Sequence, residues 1–454
     1  MLSRFRMLLS ALLVIVYATG CGFAQPESSQ VSQPAAVIFE DVRIFNGTSD
    51  RLSEPSNVLV VGNIIKEISS APIADPPETP VLRIQGGGRT LMPGLIDNHV
   101  HIFISASSLQ DLLNPSVNAE TLQARATEEA AQMLLRGFTT VRDMGGPMLT
   151  TRPAIDQGEL PGPRIYPSGA LISQTAGHGD FRLPHERPRR FFGDVSRGEL
   201  LGATFIADGR DEVLTATREN LRAGATQIKL TAGGGVASAY DPLDVAQYTL
   251  DEMKAAVEAA DDWGTYVTVH AYTPKAVRRA IEAGVKCIEH GQLLDEETMQ
   301  LIAEKDIWLS LQAFDEAPPA APAGVKAKMH TVVEGTDNAF TWAKKYQVKL
   351  AWGTDFLFNP ANNVNQNVQI LKLTQWLTPA EILKLVTHDN AQLLALSGPR
   401  NPYPGKLGVV EVGALADLLL VDGDPLANLD LVADPEKNFL VIMKDGKIYK
   451  NSVE

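Results

Sequence analysis

His99 and His101 close the run Leu-Met-Pro-Gly-Leu-Ile-Asp-Asn-His-Val-His, an apolar strand that ends in two histidines one residue apart. Alternate side chains of a β-strand share a face, so both imidazoles point the same way and can hold one ion. Taken alone, the pair reads equally as two polar residues closing a strand. Four more ligand-type residues shift that balance. Lys229 interrupts Gln-Ile-Lys-Leu-Thr-Ala-Gly-Gly-Gly, His270 ends Tyr-Val-Thr-Val-His, His290 ends Val-Lys-Cys-Ile-Glu-His, and Asp355 ends Leu-Ala-Trp-Gly-Thr-Asp. A protonated lysine inside a packed strand is costly, so the charge of Lys229 must be paired or removed chemically. Each histidine singly is more often a satisfied core or surface residue, and Asp355 alone reads equally as a helix cap. Together, each at the end of its own predicted strand, they point to a metal centre.

Such a centre needs a scaffold whose strand ends converge. Apolar strands with chemically loaded ends recur at 95–101, 139–143, 164–169, 227–229, 266–270, 287–290, 307–312 and 349–355, and helix-period segments such as 120–136, 250–263 and 274–283 fill the gaps. Eight such units are what a (βα)8 TIM barrel of the α/β class needs, with its active site at the C-terminal strand ends. The barrel is expected over 91–404. The segments 36–90 and 405–454 instead read as short alternating strands with turn residues, and neither can bury a core alone. They are expected to combine into one small β-sandwich flanking the barrel. The stretch 173–209 is long for a barrel loop, as a lid or a disordered segment would be, and 315–327, with His330 beyond it, reads as a further loop around the pocket.

The amino terminus reads as a leader over 1–20. Arg4 and Arg6 precede an apolar run at 7–18 that is too short to span a bilayer, and Ala-Thr-Gly-Cys closes it at Cys21. That ending resembles a bacterial lipobox, which makes Cys21 the lipidated first residue of a periplasmic lipoprotein and its anchor the sole membrane contact. Cleavage after Ala24 is the alternative, and the mass of the mature chain distinguishes the two. Either route exports the protein. A polar tether, 21–35, follows. Asp and Glu number 54 against 40 Lys and Arg, a balance that argues against nucleic-acid partners. There are two cysteines, and with Cys21 in the leader Cys287 has no partner, so no disulfide framework is expected and Cys287 reads as a small core residue.

His178, between glycines in Thr-Ala-Gly-His-Gly-Asp, is placed to hydrogen-bond a substrate carbonyl or carboxylate. Tyr240 and Arg142 are further candidates for that duty, although Tyr240 reads equally as loop packing and Arg142 as a partner of Asp143. The three glycines after Lys229 lack the Lys-Ser/Thr of a phosphate-binding loop and read as close backbone approach.

Pro-Gly-Leu-Ile-Asp-Asn-His-Val-His resembles the first metal motif of the amidohydrolase superfamily. Ile-Ser-Gln-Thr-Ala-Gly-His-Gly-Asp and Ile-Lys-Leu-Thr-Ala-Gly-Gly-Gly-Val-Ala-Ser-Ala-Tyr-Asp-Pro are similar to its branch of Xaa-Pro dipeptidases, carboxypeptidase-like enzymes and ochratoxin-hydrolysing amidohydrolases. The resemblance implies two divalent ions, zinc in the first instance. His99, His101 and Asp355 would hold one, His270 and His290 the other, and Lys229, N6-carboxylated by carbon dioxide, would join them. It implies hydrolysis of the amide bond of dipeptides or N-acyl amino acids, ochratoxin A among them, by a metal-bridging hydroxide, with Asp355 moving the proton. It also implies a homo-oligomer, up to an octamer. Phosphotriesterase or lactonase activity, or an imidazolonepropionase-like reaction, is the alternative on the same barrel. The latter would not need Lys229, and a metal-free binding relative would have lost ligands that this chain keeps.

Overall fold

The computed structural model describes residues 35–453. The leader, Cys21 and the tether up to residue 34 lie outside the described residues.

Both ends of the chain meet in one eight-stranded mixed sheet. Its amino-terminal strands are β1 (Ala36–Ile44), β2 (Ser56–Val61), β3 (Ile64–Ser69), β4 (Val81–Gln85) and β5 (Thr90–Pro93). Parallel strands follow: β6 (Leu95–Val100), β7 (Phe138–Asp143), β8 (Arg164–Pro167), β9 (Leu171–Ser173), β10 (Thr204–Ile206), β11 (Ile228–Thr231), β12 (Val267–Ala271), β13 (Cys287–His290), β14 (Trp308–Leu311) and β15 (Lys349–Trp352). The chain then returns to the first sheet with β16 (Leu418–Val421), β17 (Phe439–Lys444) and β18 (Lys447–Asn451), β16 pairing antiparallel with β5. Alternating residues from both ends, among them Val37, Phe39, Val58, Leu91, Leu418 and Val441, share one buried cluster, which is why neither segment needs a core of its own. Gly94 is the pivot between β5 and β6. A Cβ there would lie 2.0 Å from Oγ1 of Thr139, so only glycine lets the first site strand run this close to its neighbour.

The parallel strands form two ladders, β6-β7-β8 and β10-β9-β11-β12-β13-β14-β15. The expected third strand, 164–169, is two pieces. It bends at Gly169, which has a φ of 73°, so that β8 pairs with β7 while β9 pairs with β11. Asn220 holds the bend, accepting from Ala170 N–H at 3.0 Å and donating to Ala170 O at 2.8 Å.

The free edges of the two ladders meet at β6 and β15. Asp355 N–H donates to His99 O at 2.7 Å, and buried Asn390 donates to Ile96 O at 2.7 Å and Trp352 O at 2.9 Å while accepting from Trp352 N–H at 2.9 Å. Replacing Asn390 with alanine orphans those buried groups. It should cost about 3 kcal/mol or more, read as a lowered unfolding midpoint, and an unchanged midpoint would remove Asn390 as the stitch.

Helices cover the gaps much as their periodicity predicts. Ala119–Leu135 is capped by Asn118, and Leu250–Asp262 starts with a Thr249–Glu252 capping box. Two loop expectations change. The excursion after β9 carries a 3-10 turn at Arg189–Phe191, a short helix at Arg197–Leu200 and β10. The expected loop 315–327 gives way at Ala323 to a 23-residue helix, Ala323–Lys345, which takes in His330. Among the described residues no helix is long and apolar enough to cross a membrane.

Candidate active site

His99 lies in β6 and His101 one residue past it, Lys229 is in β11, His270 in β12, and His290 ends β13. Asp355 sits in the turn beyond β15. All six line one cavity, together with His178 and the apolar Ile104, Leu171, Phe181, Leu357 and Phe358. The free volume is about 30 Å³, and Phe181 meets Phe358 edge-on across it with ring centroids 5.6 Å apart.

Asp355 is the hub. Its Oδ1 is 3.3 Å from His99 Nε2 and 3.4 Å from His101 Nε2, and its Oδ2 is 3.9 Å from His290 Nε2. Among the described residues, His99, His101 and Asp355 form a group whose ligand atoms all lie within 4.8 Å of one another. Lys229 Nζ is 3.4 Å from His99 Nε2. The rings of His270 and His290 meet edge-on at 4.5 Å. Two of these residues hold left-handed backbone, with φ of 80° at His290 and 53° at Asp355. Such conformations in non-glycine residues persist where the surroundings over-determine them, as they do at functional sites.

Burial dictates the protonation. It lowers His99 to about 4, helped by Lys229, and holds His270 and His290 well below the usual imidazole range. It lowers the Lys229 ammonium to about 8, against the pull of Glu289 and Asp355. Burial alone would raise the Asp355 carboxyl, but His99, His101 and His290 hold it well below the usual carboxylate range.

The remaining ring nitrogens have partners that the sequence reading did not name. His99 Nδ1 is 2.9 Å from Oε2 of Glu289, and His290 Nδ1 is 2.7 Å from Oε1 of Gln312. His270 Nε2 is 3.1 Å from Gly234 O. Glu289 is wholly buried, and although desolvation would raise its carboxyl, Arg142 and His99 hold it well below the usual range. A glutamate in an apolar strand was the available signal, yet its partners are far away in sequence. Around this layer, Asp143 accepts from Ile102 N–H at 3.0 Å and Gly145 N–H at 3.3 Å, fixing the turn that carries His101. Asp97 accepts from Thr354 N–H at 3.1 Å and Thr354 Oγ1 at 2.7 Å, fixing the turn that carries Asp355.

His178 joins the cavity, stacked on His270 at 4.0 Å, with its Nδ1 2.6 Å from Ser238 Oγ and 3.3 Å from Asp241 Oδ2. Arg142 and Tyr240 do not join it. Arg142 is buried inside the strand layer, donating to Glu289 Oε1 at 2.7 Å, Asn98 O at 2.7 Å and Tyr266 OH at 3.2 Å, so its charge is spent on Glu289 and not on Asp143 or a ligand. Tyr240 is 50% exposed and lies outside the cavity lining. Cys287 is free and buried beside Glu289, and burial pushes its thiol up to about 12, as suits an inert core residue.

The chain is similar to several known proteins. Ochratoxinase from Aspergillus niger is 33% identical over 371 residues, spanning 79% of this chain and 75% of that protein. A prolidase crystallised with N-methylphosphonate-L-proline superposes with a TM-score of 0.82 at 32% identity, covering 92% of this chain and 100% of that one. A Xaa-Pro dipeptidase with methionine bound in its active site superposes with a TM-score of 0.77 at 29% identity, again covering 92% and 100%. The amidohydrolase family model matches residues 90–449, the parallel strands with their cavity and the carboxy-terminal strands of the flanking sheet, and the chain belongs to that family.

Proposed function

We propose that this protein is a metal-dependent amidohydrolase that cleaves the amide bond of dipeptides or N-acyl amino acids, releasing an amino acid with a free carboxylate. Ochratoxin A, which would release phenylalanine, belongs to that class. The observation that carries the reading is the convergence of His99, His101, Lys229, His270, His290 and Asp355 on one cavity. The names of the relatives, an ochratoxinase, a prolidase and a Xaa-Pro dipeptidase, point to the same chemistry. In this reading the two parallel ladders close as one barrel, and the terminal sheet folds over as its small sandwich.

The donor set fits two divalent ions, zinc first, because burial keeps the imidazoles of His99, His270 and His290 neutral with lone pairs free while Asp355 stays anionic. His99, His101 and Asp355 would hold one ion and His270 and His290 the other. Lys229 would lie between them as its carbamate, formed when the neutral amine adds to carbon dioxide and loses a proton. An ammonium lowered to about 8 makes that amine available near neutral pH. Bound there, the ions would supply Lewis acidity toward the carbonyl and a water acidic near neutrality. Asp355 takes the proton of the attacking water and returns it to the amine nitrogen, which cannot leave unprotonated. Arg142 and Glu289 act at a distance by keeping His99 in one ring orientation. His178 is oriented through Nδ1, which leaves Nε2 for the substrate's carboxylate.

A buried carboxylate without a donor is costly, so a site built for one should reject its amide. An N-acyl amino acid should be turned over at least ~100-fold faster than its C-terminal amide at equal metal loading. Equal rates, or faster turnover of lactones or phosphotriesters than of any such amide, would overturn the substrate class.

A further inference from the structure

His178 can recognise a carboxylate only if its ring is held, and groups that hold it, Ser238 and Asp241, lie on the loop that follows β11. Residues 233–241 leave β11 as Gly-Gly-Gly-Val-Ala-Ser-Ala-Tyr-Asp. Ser238 Oγ and Asp241 Oδ2 face His178 Nδ1 at 2.6 and 3.3 Å, and Asp241 also accepts from Gly235 N–H at 2.8 Å. The loop backbone lies directly on the imidazole, since a Cβ on Gly235 would fall 2.0 Å from the His178 ring. A small shift of this loop therefore moves or frees the ring.

The helix Ala323–Lys345 pins it. Val325, Met329 and Val332, at helical spacing on one face, pack with Val236, Leu243 and Tyr272. On the same face, Lys328 Nζ donates to three main-chain oxygens of the loop, Gly235 at 2.9 Å, Ser238 at 3.0 Å and Asp241 at 2.7 Å. A lysine ammonium has three N–H donors, and this geometry uses all of them. Among the described residues no other donor reaches those three carbonyls. Without the ammonium, three carbonyl dipoles would converge on one another unpaired, and the loop would relax away from that arrangement.

We propose that Lys328 is a positioning residue whose ammonium fixes the 233–241 loop and, through Ser238 and Asp241, sets the ring of His178 for the substrate's carboxylate. The last step rests on the reading of His178 as a substrate-binding group.

The test uses the full-length, metal-loaded enzyme. Lys328→Ala should retain its metal content, raise KM for an N-acyl amino acid by about tenfold or more with a smaller change in kcat, and lose preference over the C-terminal amide. Amide hydrogen exchange in 233–241 should accelerate. Methylammonium, which can re-enter the three-carbonyl cradle, should reverse both effects, and tetramethylammonium, with no N–H, should not. Wild-type KM and exchange in Lys328→Ala would overturn the clamp, as would equal rescue by the two cations. If that variant does not fold, Lys328→Gln, which keeps two donors, should show intermediate KM and exchange, and wild-type values there would overturn it too. If the wild-type enzyme cleaves no amide while exchange still responds to Lys328→Ala and to methylammonium, the clamp stands and the substrate class is what fails.

Discussion

Lys229→Ala should lose bound metal and activity together, and a short carboxylic acid added to the medium should restore part of both. The wild-type chain is expected to carry two divalent ions by elemental analysis. The argument starts from burial. Lys229 is 2% exposed, in a strand, beside His99 and near Asp355, where an ammonium is disfavoured and its position is lowered to about 8. As a carbamate the same side chain becomes an anionic oxygen donor amid five other ligand-type residues. In the proposed centre, alanine would remove both the donor and the negative charge that two adjacent cations would need. The loss should exceed the ~10–100-fold seen when outer partners of metal ligands are removed. A carboxylic acid small enough for the vacated space presents the same oxygens, so rescue should follow acid size. Full activity of Lys229→Ala without any additive would remove the lysine from the centre.

Asp355→Asn probes a different step. The carboxylate lies 3.3 Å from His99 Nε2, 3.4 Å from His101 Nε2 and 3.9 Å from His290 Nε2, and its depressed proton affinity arises from that proximity. Asparagine keeps the shape. It also tolerates the left-handed backbone at φ 53° better than other residues except glycine, so the turn and the Asp355 N–H bond to His99 O should survive. What is lost is the ability to accept and return a proton. Turnover should fall by ~10²–10⁴-fold, with KM little changed and at least one ion retained, a pattern that separates a chemical role from a binding one. A variant that keeps wild-type kcat would show that the proton travels by another group.

Much of the scaffold was legible in the chain because its signals are local. Alternation, helical period and caps are properties of neighbouring residues, and so the strands carrying His99, His270 and His290, the helix Leu250–Asp262 and the sheet segments at both ends fall close to where their patterns place them. The six ligand-type residues were visible for a related reason: a polar residue closing an apolar strand has few bland explanations when the event recurs. The partners of these residues were not visible. Arg142 sits one residue from Asp143, yet it pairs with Glu289, 147 residues away, because two strands bring those side chains face to face inside a layer from which water is excluded. The break of the third strand at Gly169 depends on Asn220, on a helix 50 residues later. The helix Ala323–Lys345 hides behind Pro318, Pro319 and Pro322, which locally signal a loop, and its start is stabilised by packing on Val236 and Tyr272. Residue type and period thus determined which groups could do chemistry and which strands carry them. Only the tertiary structure decided which charges are spent holding the site together, because burial and pairing depend on distances that sequence separation does not measure.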